Sequence, residues 1–297
     1  MINYEKNVMQ EHQALLEPEA LGLPGSGLQY QKIAPDQNYL DELQITRSFL
    51  HNTFKSMTEP EFADKNMHIQ FINYGDTQLV YVLTARNDKY AVLVGQPVTN
   101  FGIVRQEYDN LCDLAVKNPR EVVTPIYYYS DVNAQRELYI APYLMQARCI
   151  ASQDQSWGIY VPEPDYHFQE FTEQEKSIVN SCMIALLIKL FDKENNLGIS
   201  ACKIGGGDFV LEKEWSDREV TYESTLDKMK LIAARELKPM KQNDYIEHIK
   251  REFSQSTYYN SEKDRDQSII INWKSRVPMT KEEIETGISL GLHLSEK

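Results

Sequence analysis

The chain has 297 residues, with 42% hydrophobic and 25% charged side chains and a formal net charge of -13. That size and balance fit a globular protein with room for a sizeable core. The acidic charge repels phosphate backbones and anionic lipid, so nucleic acid and membrane surfaces are excluded as partners at the level of the whole chain.

The first ten residues, MINYEKNVMQ, lack an apolar signal core, and the longest apolar stretch, Met183 to Phe191, is too short to span a bilayer. The four cysteines, Cys112, Cys149, Cys182 and Cys202, form no CxxC pair, which favours free thiols in a reducing compartment. A cytoplasmic location is the expectation from these features.

In chain order, residues 1–67 are expected to be an irregular leader broken by Pro18, Gly22, Pro24, Gly25 and Gly27, then a helix over Asp36 to Lys55 with Leu40, Leu43, Phe49, Leu50 and Phe54 on its apolar face. From His68 the composition turns to β-branched and aromatic residues. It predicts one strand, then a hairpin over Gln78 to Val94 turning at Arg86 to Lys89. A helix is predicted over Gly102 to Val116, and strands over Val122 to Tyr129 and Glu137 to Tyr143. Residues Gln146 to Gln169, with Pro162 and Pro164, read as a polar linker.

The sequence Thr172-Glu173-Gln174-Glu175 is a capping box opening a buried helix. The breaker-rich Asn195 to Asp208 then leads to a predicted hairpin, Phe209 to Trp215 and Glu219 to Ser224, turning at Ser216-Asp217. Helices are expected over Leu226 to Glu236, Asn243 to Ser254 and, behind a second capping box at Thr280 to Glu283, Lys281 to Leu292. Ser256 to Asp266 reads as a loop.

Five segments carry a resemblance. Ile72-Asn73-Tyr74-Gly75-Asp76-Thr77 precedes a strand, and Gly75 permits backbone N–H groups to approach phosphate. Lys89 to Val94 is a strand that contains Leu93, and Arg105 to Leu111 is a helix with Glu107. Glu137 to Leu144 is a strand leading into Ala141 and Tyr143. Most specific is Ala201-Cys202-Lys203-Ile204-Gly205-Gly206-Gly207-Asp208, followed by the strand Phe209-Val210-Leu211.

Together these resemble the protein-kinase-like phosphotransferases of the aminoglycoside and choline type. The resemblance implies an α+β, two-lobed protein-kinase-like fold. It would have a small antiparallel-sheet N-lobe with one helix over 68–145 and a mainly helical C-lobe over 146–297. It implies ATP with Mg or Mn as cofactor, held by the Gly75 turn, by Glu107 and by the hinge backbone at Ala141 and Tyr143. Lys203 falls at the position of the family's catalytic Asp and Asp208 at that of its metal-binding Asn, while Glu223 stands about where a second metal carboxylate is expected. Leu93 falls where the family has a phosphate-holding cation.

A lysine ammonium cannot accept the proton that a base must take. It could instead bond a phosphate directly.

The histidines have no ligand spacing, and there is no GxSxG elbow or Walker loop. The Gly205-Gly206-Gly207 run predicts a tight turn with positive φ, and Trp157, Tyr160, Tyr166 and Phe168 form an aromatic cluster, read as packing. Three functional readings stay open. They are a pseudokinase-like binding or regulatory protein, an active atypical small-molecule phosphotransferase, and an interaction scaffold that ignores nucleotide. The partner would be a nucleotide, another small molecule or a protein.

Overall fold

The computed structural model describes residues 46, 49, 50, 52–54, 68–74, 78–85, 88–95, 101–144, 148–153, 156–161, 167–204, 206–212, 220–254 and 279–296. The leader up to about residue 35, Gly75, Tyr166, Gly205, the turn at Ser216-Asp217 and the Ser256 to Asp266 loop lie outside the described residues. The chain divides into two compact units. One comprises Met1–Tyr108 and Thr124–Met145, the other Asp109–Val123 and Gln146–Lys297.

The first unit is built on an antiparallel five-stranded sheet. Its strands are β1 (His68–Tyr74), β2 (Gln78–Ala85), β3 (Asp88–Gly95), β4 (Tyr127–Asp131) and β5 (Arg136–Pro142), in spatial order β1-β2-β3-β5-β4. The hairpin expected from Gln78 is present, with Gln78 opposite Gly95 and Ala85 opposite Asp88. Leu79, Tyr81, Leu83, Val92, Val94, Leu138 and Ile140 are buried on this sheet. The helical residues Phe49, Leu50 and Phe54 are also buried, and Phe49 meets the ring of Tyr129.

The strand expected from Val122 begins later, at Tyr127. Val122 instead makes an isolated parallel bridge to Leu231. Helix α1 (Ile103–Lys117) follows Gly102, whose φ of +103° is costly for any residue with a Cβ.

The second unit holds a second five-stranded sheet, and here the sequence reading is corrected. The expected linker is a meander of β6 (Arg148–Gln153), β7 (Ser156–Val161) and β8 (His167–Glu170). Tyr160 stands opposite Phe168 in register, so both belong to strands. The sheet continues through β10 (Phe209–Leu211) to β11 (Met229–Leu231), in order β11-β10-β6-β7-β8. A short pair, β9 (Leu197–Ile199) with β12 (Leu237–Pro239), stands apart from it.

Helix α2 (Glu173–Lys189) starts at the predicted capping box, with Thr172 accepting from the Glu175 N–H and Glu175 accepting from that of Thr172. Every residue from Ile178 to Ile188 is buried, so the helix is enclosed on all sides. One neighbour is α5 (Lys281–Leu294), which brings Gly287 and Gly291 against it. Glu283 both closes the capping box of α5 and accepts from Asn180 on α2 at 3.2 Å.

Two further expectations fail in this unit. Of the strand expected over Glu219 to Ser224, the described residues Val220 to Ser224 form none: Thr221 caps a short helix, α3 (Tyr222–Lys228), through a box completed by Ser224. The helix expected over Leu226 to Glu236 holds only as far as Lys228, the end of α3; β11 follows, and Ile232 to Glu236 have no regular structure. Helix α4 (Gln242–Ser254) lies where expected and buries Tyr245, Ile249 and Phe253. No helix among the described residues is long and apolar enough to cross a membrane.

Candidate functional site

The candidate residues fall in both units, and each group is taken by itself. In the first unit, Glu107 is fully buried on α1. The Tyr139 hydroxyl donates to its Oε1 at 3.2 Å. Tyr139 sits on β5 directly opposite Leu93, and residues paired across an antiparallel sheet share a face. Leu93 therefore shares the face whose Tyr139 reaches Glu107. The hydrogen bond to this glutamate comes from a tyrosine on the next strand, one strand away from the position where the resemblance expects a cation.

A second network fixes the start of α1 and with it the place of Glu107. The buried Glu137 accepts from the Tyr128 hydroxyl and from the Gly102 N–H, each at 2.7 Å. The Arg105 guanidinium lies over the Tyr128 ring, 4.7 Å from its centroid. Burial and the neighbouring Glu137 push the Tyr128 phenol up to about 12.

Ala141 is buried and pairs with Ala91. The Tyr143 N–H, which a hinge could offer to a base, donates to the Lys89 carbonyl at 3.1 Å.

In the second unit, the loop of greatest interest starts as a 3-10 turn, Ala201–Lys203, and ends in another, Gly206–Asp208, running straight into β10. Its first turn is held from both sides. The Lys203 N–H donates to the Ser200 carbonyl, and the Ala201 N–H donates to Nε2 of His248 on α4 at 3.2 Å. Sγ of Cys202 lies 3.1 Å from the Ser200 hydroxyl and 3.9 Å from the Lys238 ammonium. Gly207 has no positive φ, contrary to the turn expected there; a Cβ added to it would meet nothing within 4 Å.

Lys203 is exposed and forms no ion pair with the described residues. Asp208 is the opposite case, with a side chain 6% exposed. Arg235 meets it as a two-pronged fork: Nη1 donates to Oδ2 at 2.7 Å, and Nη2 lies 2.7 Å from Oδ1. Nη1 also donates to the Lys203 carbonyl at 2.9 Å. The Ile232 N–H donates to the Asp208 carbonyl, which ties the end of β11 to the same loop.

Arg235 therefore brings Lys203 and Asp208 together. Sequence reasoning missed it because it was assigned to a helix, and nothing local marks a lone arginine after Ile232-Ala233-Ala234 as the partner of a carboxylate in another segment.

Glu223 lies elsewhere in the secondary structure from where it was expected. It is exposed in the first turn of α3, where a carboxylate complements the N-terminal end of the helix dipole. The residues that do follow the β10–β11 hairpin, Ile232 to Arg235, include no carboxylate. Burial opposes ionisation of the next residue, Glu236, but hydrogen bonds from Ser200 and Lys238 and the charges of Lys238 and Lys203 hold its carboxyl below the ordinary value. Among the described residues no group of three His, Cys, Asp or Glu side chains could hold a metal ion.

A divalent ion on the Asp208 carboxylate would stand about 4 Å from the guanidinium. At an effective dielectric of about 20 the repulsion is of order 8 kcal/mol, which works against the carboxylate's own attraction for the ion.

No protein-family model matches the chain, and no curated protein sequence matches it. Among solved structures, it is similar to an assigned aminoglycoside phosphotransferase from Ralstonia eutropha JMP134. That match has 14% identity and a TM-score of 0.29, and covers 50% of this chain and 38% of the other. An ethanolamine kinase from Plasmodium vivax matches at 10% identity and a TM-score of 0.45, with 87% and 75% covered. The BubR1 kinase domain matches at 13% identity and a TM-score of 0.36, with 70% and 62% covered. All three TM-scores lie below 0.5, and none of the three gives a residue of this chain a role.

Proposed function

We propose that this chain is a pseudokinase-like binding or regulatory protein, one that retains the frame of a phosphotransferase without its chemistry. The observation that carries this reading is the exposed Lys203 ammonium at the position where a base is required. Phosphoryl transfer needs a group that accepts the substrate proton, a cation on the donor phosphates and metal ions between their oxygens. Lys203 is a cation and not a base, and Leu93 is apolar. Glu107 is engaged by a tyrosine hydroxyl.

What the loop retains is an exposed positive charge. A phosphate-bearing ligand, ATP first among the candidates, is the class that such a lysine would bind. Asp208 and Glu223 as a metal pair for Mg or Mn gain no support from their positions, one carboxylate being paired with arginine and the other standing on α3.

The experiment is a thermal-shift titration with ATP, with and without Mg or Mn, alongside a turnover assay on small hydroxyl acceptors. A ligand present at 100 times its dissociation constant stabilises by about 2.7 kcal/mol. A shift without turnover, weakened in Lys203→Ala, is the expected result. Turnover that needs metal would replace this reading with an active phosphotransferase. No shift under any condition would leave an interaction scaffold that ignores nucleotide.

A further inference from the structure

Three oxygens converge on one positively charged group in the Ala201 to Asp208 loop: both carboxylate oxygens of Asp208 and the main-chain carbonyl of Lys203. Hard oxygen donors gathered in this way are what a divalent cation requires. Here all three meet the guanidinium of Arg235, at 2.7 to 2.9 Å.

We infer that Arg235 is a built-in cation that fills the divalent-metal position of this loop, so that the loop binds a phosphate-bearing ligand without metal. The fork geometry accounts for an arginine rather than a lysine here, since a planar guanidinium matches both carboxylate oxygens with two nitrogens and keeps a further N–H for the carbonyl. Asp208 is almost wholly buried, and a buried carboxylate requires a partner. A permanent partner in the chain removes the need for an exchangeable ion. It also leaves Lys203, at the other end of the same clamp, as the cation that faces outward. The part of the inference concerning the ligand rests on the reading of Lys203 given above; the part concerning the metal rests on the Arg235–Asp208 fork and on the resemblance that puts Asp208 at a metal position.

Manganese binding, read from the loss of free Mn2+ signal in electron paramagnetic resonance, tests the metal part. The full chain, Asp208→Asn, Arg235→Ala and the double variant are compared. The wild-type chain and Asp208→Asn should bind Mn2+ equally weakly. Arg235→Ala should gain affinity by at least about tenfold, and the double variant should lose that gain. Asp208-dependent Mn2+ binding by the wild-type chain overturns the inference, as does a folded Arg235→Ala that gains nothing.

Should Arg235→Ala fail to fold even with Mn2+ present, the comparison of the wild-type chain with Asp208→Asn decides by itself. ATP binding in EDTA tests the ligand part and should match that in Mn2+. ATP binding that requires Mn2+ and Asp208 overturns the inference. An absence of ATP binding in every condition sinks the reading of Lys203 and the ligand part with it, while the manganese comparison still judges Arg235.

Discussion

Replacing glycine by alanine inside a helix ordinarily stabilises a protein, and on α5 the sign should reverse. A Cβ built on Gly287 would lie 2.5 Å from the Ser181 carbonyl oxygen and 2.6 Å from Cβ of Ile184. Carbon–oxygen contacts settle near 3.3 Å or more, so about 0.8 Å must be found by moving one helix against the other. Neither obstacle is the loose end of a flexible side chain, and α2 is buried along that stretch.

Overpacking of this kind costs about 1–3 kcal/mol, and contacts this short against backbone place it toward the upper end. Alanine returns about 1 kcal/mol of helix propensity, which leaves a net loss of about 2 kcal/mol. Urea unfolding followed by far-ultraviolet circular dichroism should show the midpoint of Gly287→Ala falling by about 1 M. Gly291→Ala should behave alike, since its Cβ would stand 2.6 Å from the Ala185 carbonyl oxygen. Gly207→Ala is the control: nothing lies within 4 Å of the added methyl, so the change should stay within about 0.5 kcal/mol. A Gly287→Ala protein as stable as the wild type would refute the helix contact itself.

Other substitutions probe the polar interior. Tyr139→Phe removes a hydroxyl that donates to the buried Glu107 and should cost about 1–2 kcal/mol in the same denaturation assay; a neutral result would show that Glu107 does not need this donor. Glu283→Ala should cost more than Glu283→Gln, because glutamine keeps the capping box and the bond to Asn180 that alanine abolishes. The pH dependence follows from Asp192, whose carboxyl is held at about 2, chiefly by its hydrogen bond from the Lys117 ammonium. Its folded pKa lies below the unfolded value, so the unfolded chain binds more protons between the two. The stabilisation is therefore complete above about pH 4 and is lost as pH falls toward 2. Lys117→Ala should flatten the acid limb of a stability–pH curve in that window; an unchanged limb would show that the pair is too well solvated to matter.

Elements whose pattern is local were legible in the sequence. The β2–β3 hairpin, helices α1, α2, α4 and α5, and the boxes at Thr172 and Thr280 all announce themselves within a few residues. Elements defined by distant partners were not. Strand β6 reads as polar linker because Gln146 to Gln169 is polar and broken by Pro162 and Pro164, which hides its local pairing with β7, while its other partner β10 lies far along the chain, with Cys149 opposite Val210. The run Val220-Thr221-Tyr222 has strand composition, but the Thr221 hydroxyl is better used as a cap, and a serine in place of glutamate at the third position hid the box. At the site, the spacing from Ala201 to Leu211 correctly placed a loop running into a strand. The identity of Asp208's partner was invisible, since an ion pair across 27 residues leaves no periodic trace.

Helix α1 has a consequence for how the chain is made. The first unit is complete in sequence once Met145 has emerged, yet residues Asp109–Val123 belong to the second, most of which begins at Gln146. Leu111, Leu114 and Ala115 are buried in the finished protein but are synthesised long before most of their own unit exists. The rung between Val123 and Leu231 cannot close until the ribosome has passed the latter. During that interval the C-terminal half of α1 presents an apolar face with no finished core to receive it, and this is when the nascent chain is most exposed to wrong partners. A ribosome pause before β11 would lengthen that interval, so the yield of native protein should depend on translation speed through residues 146–231.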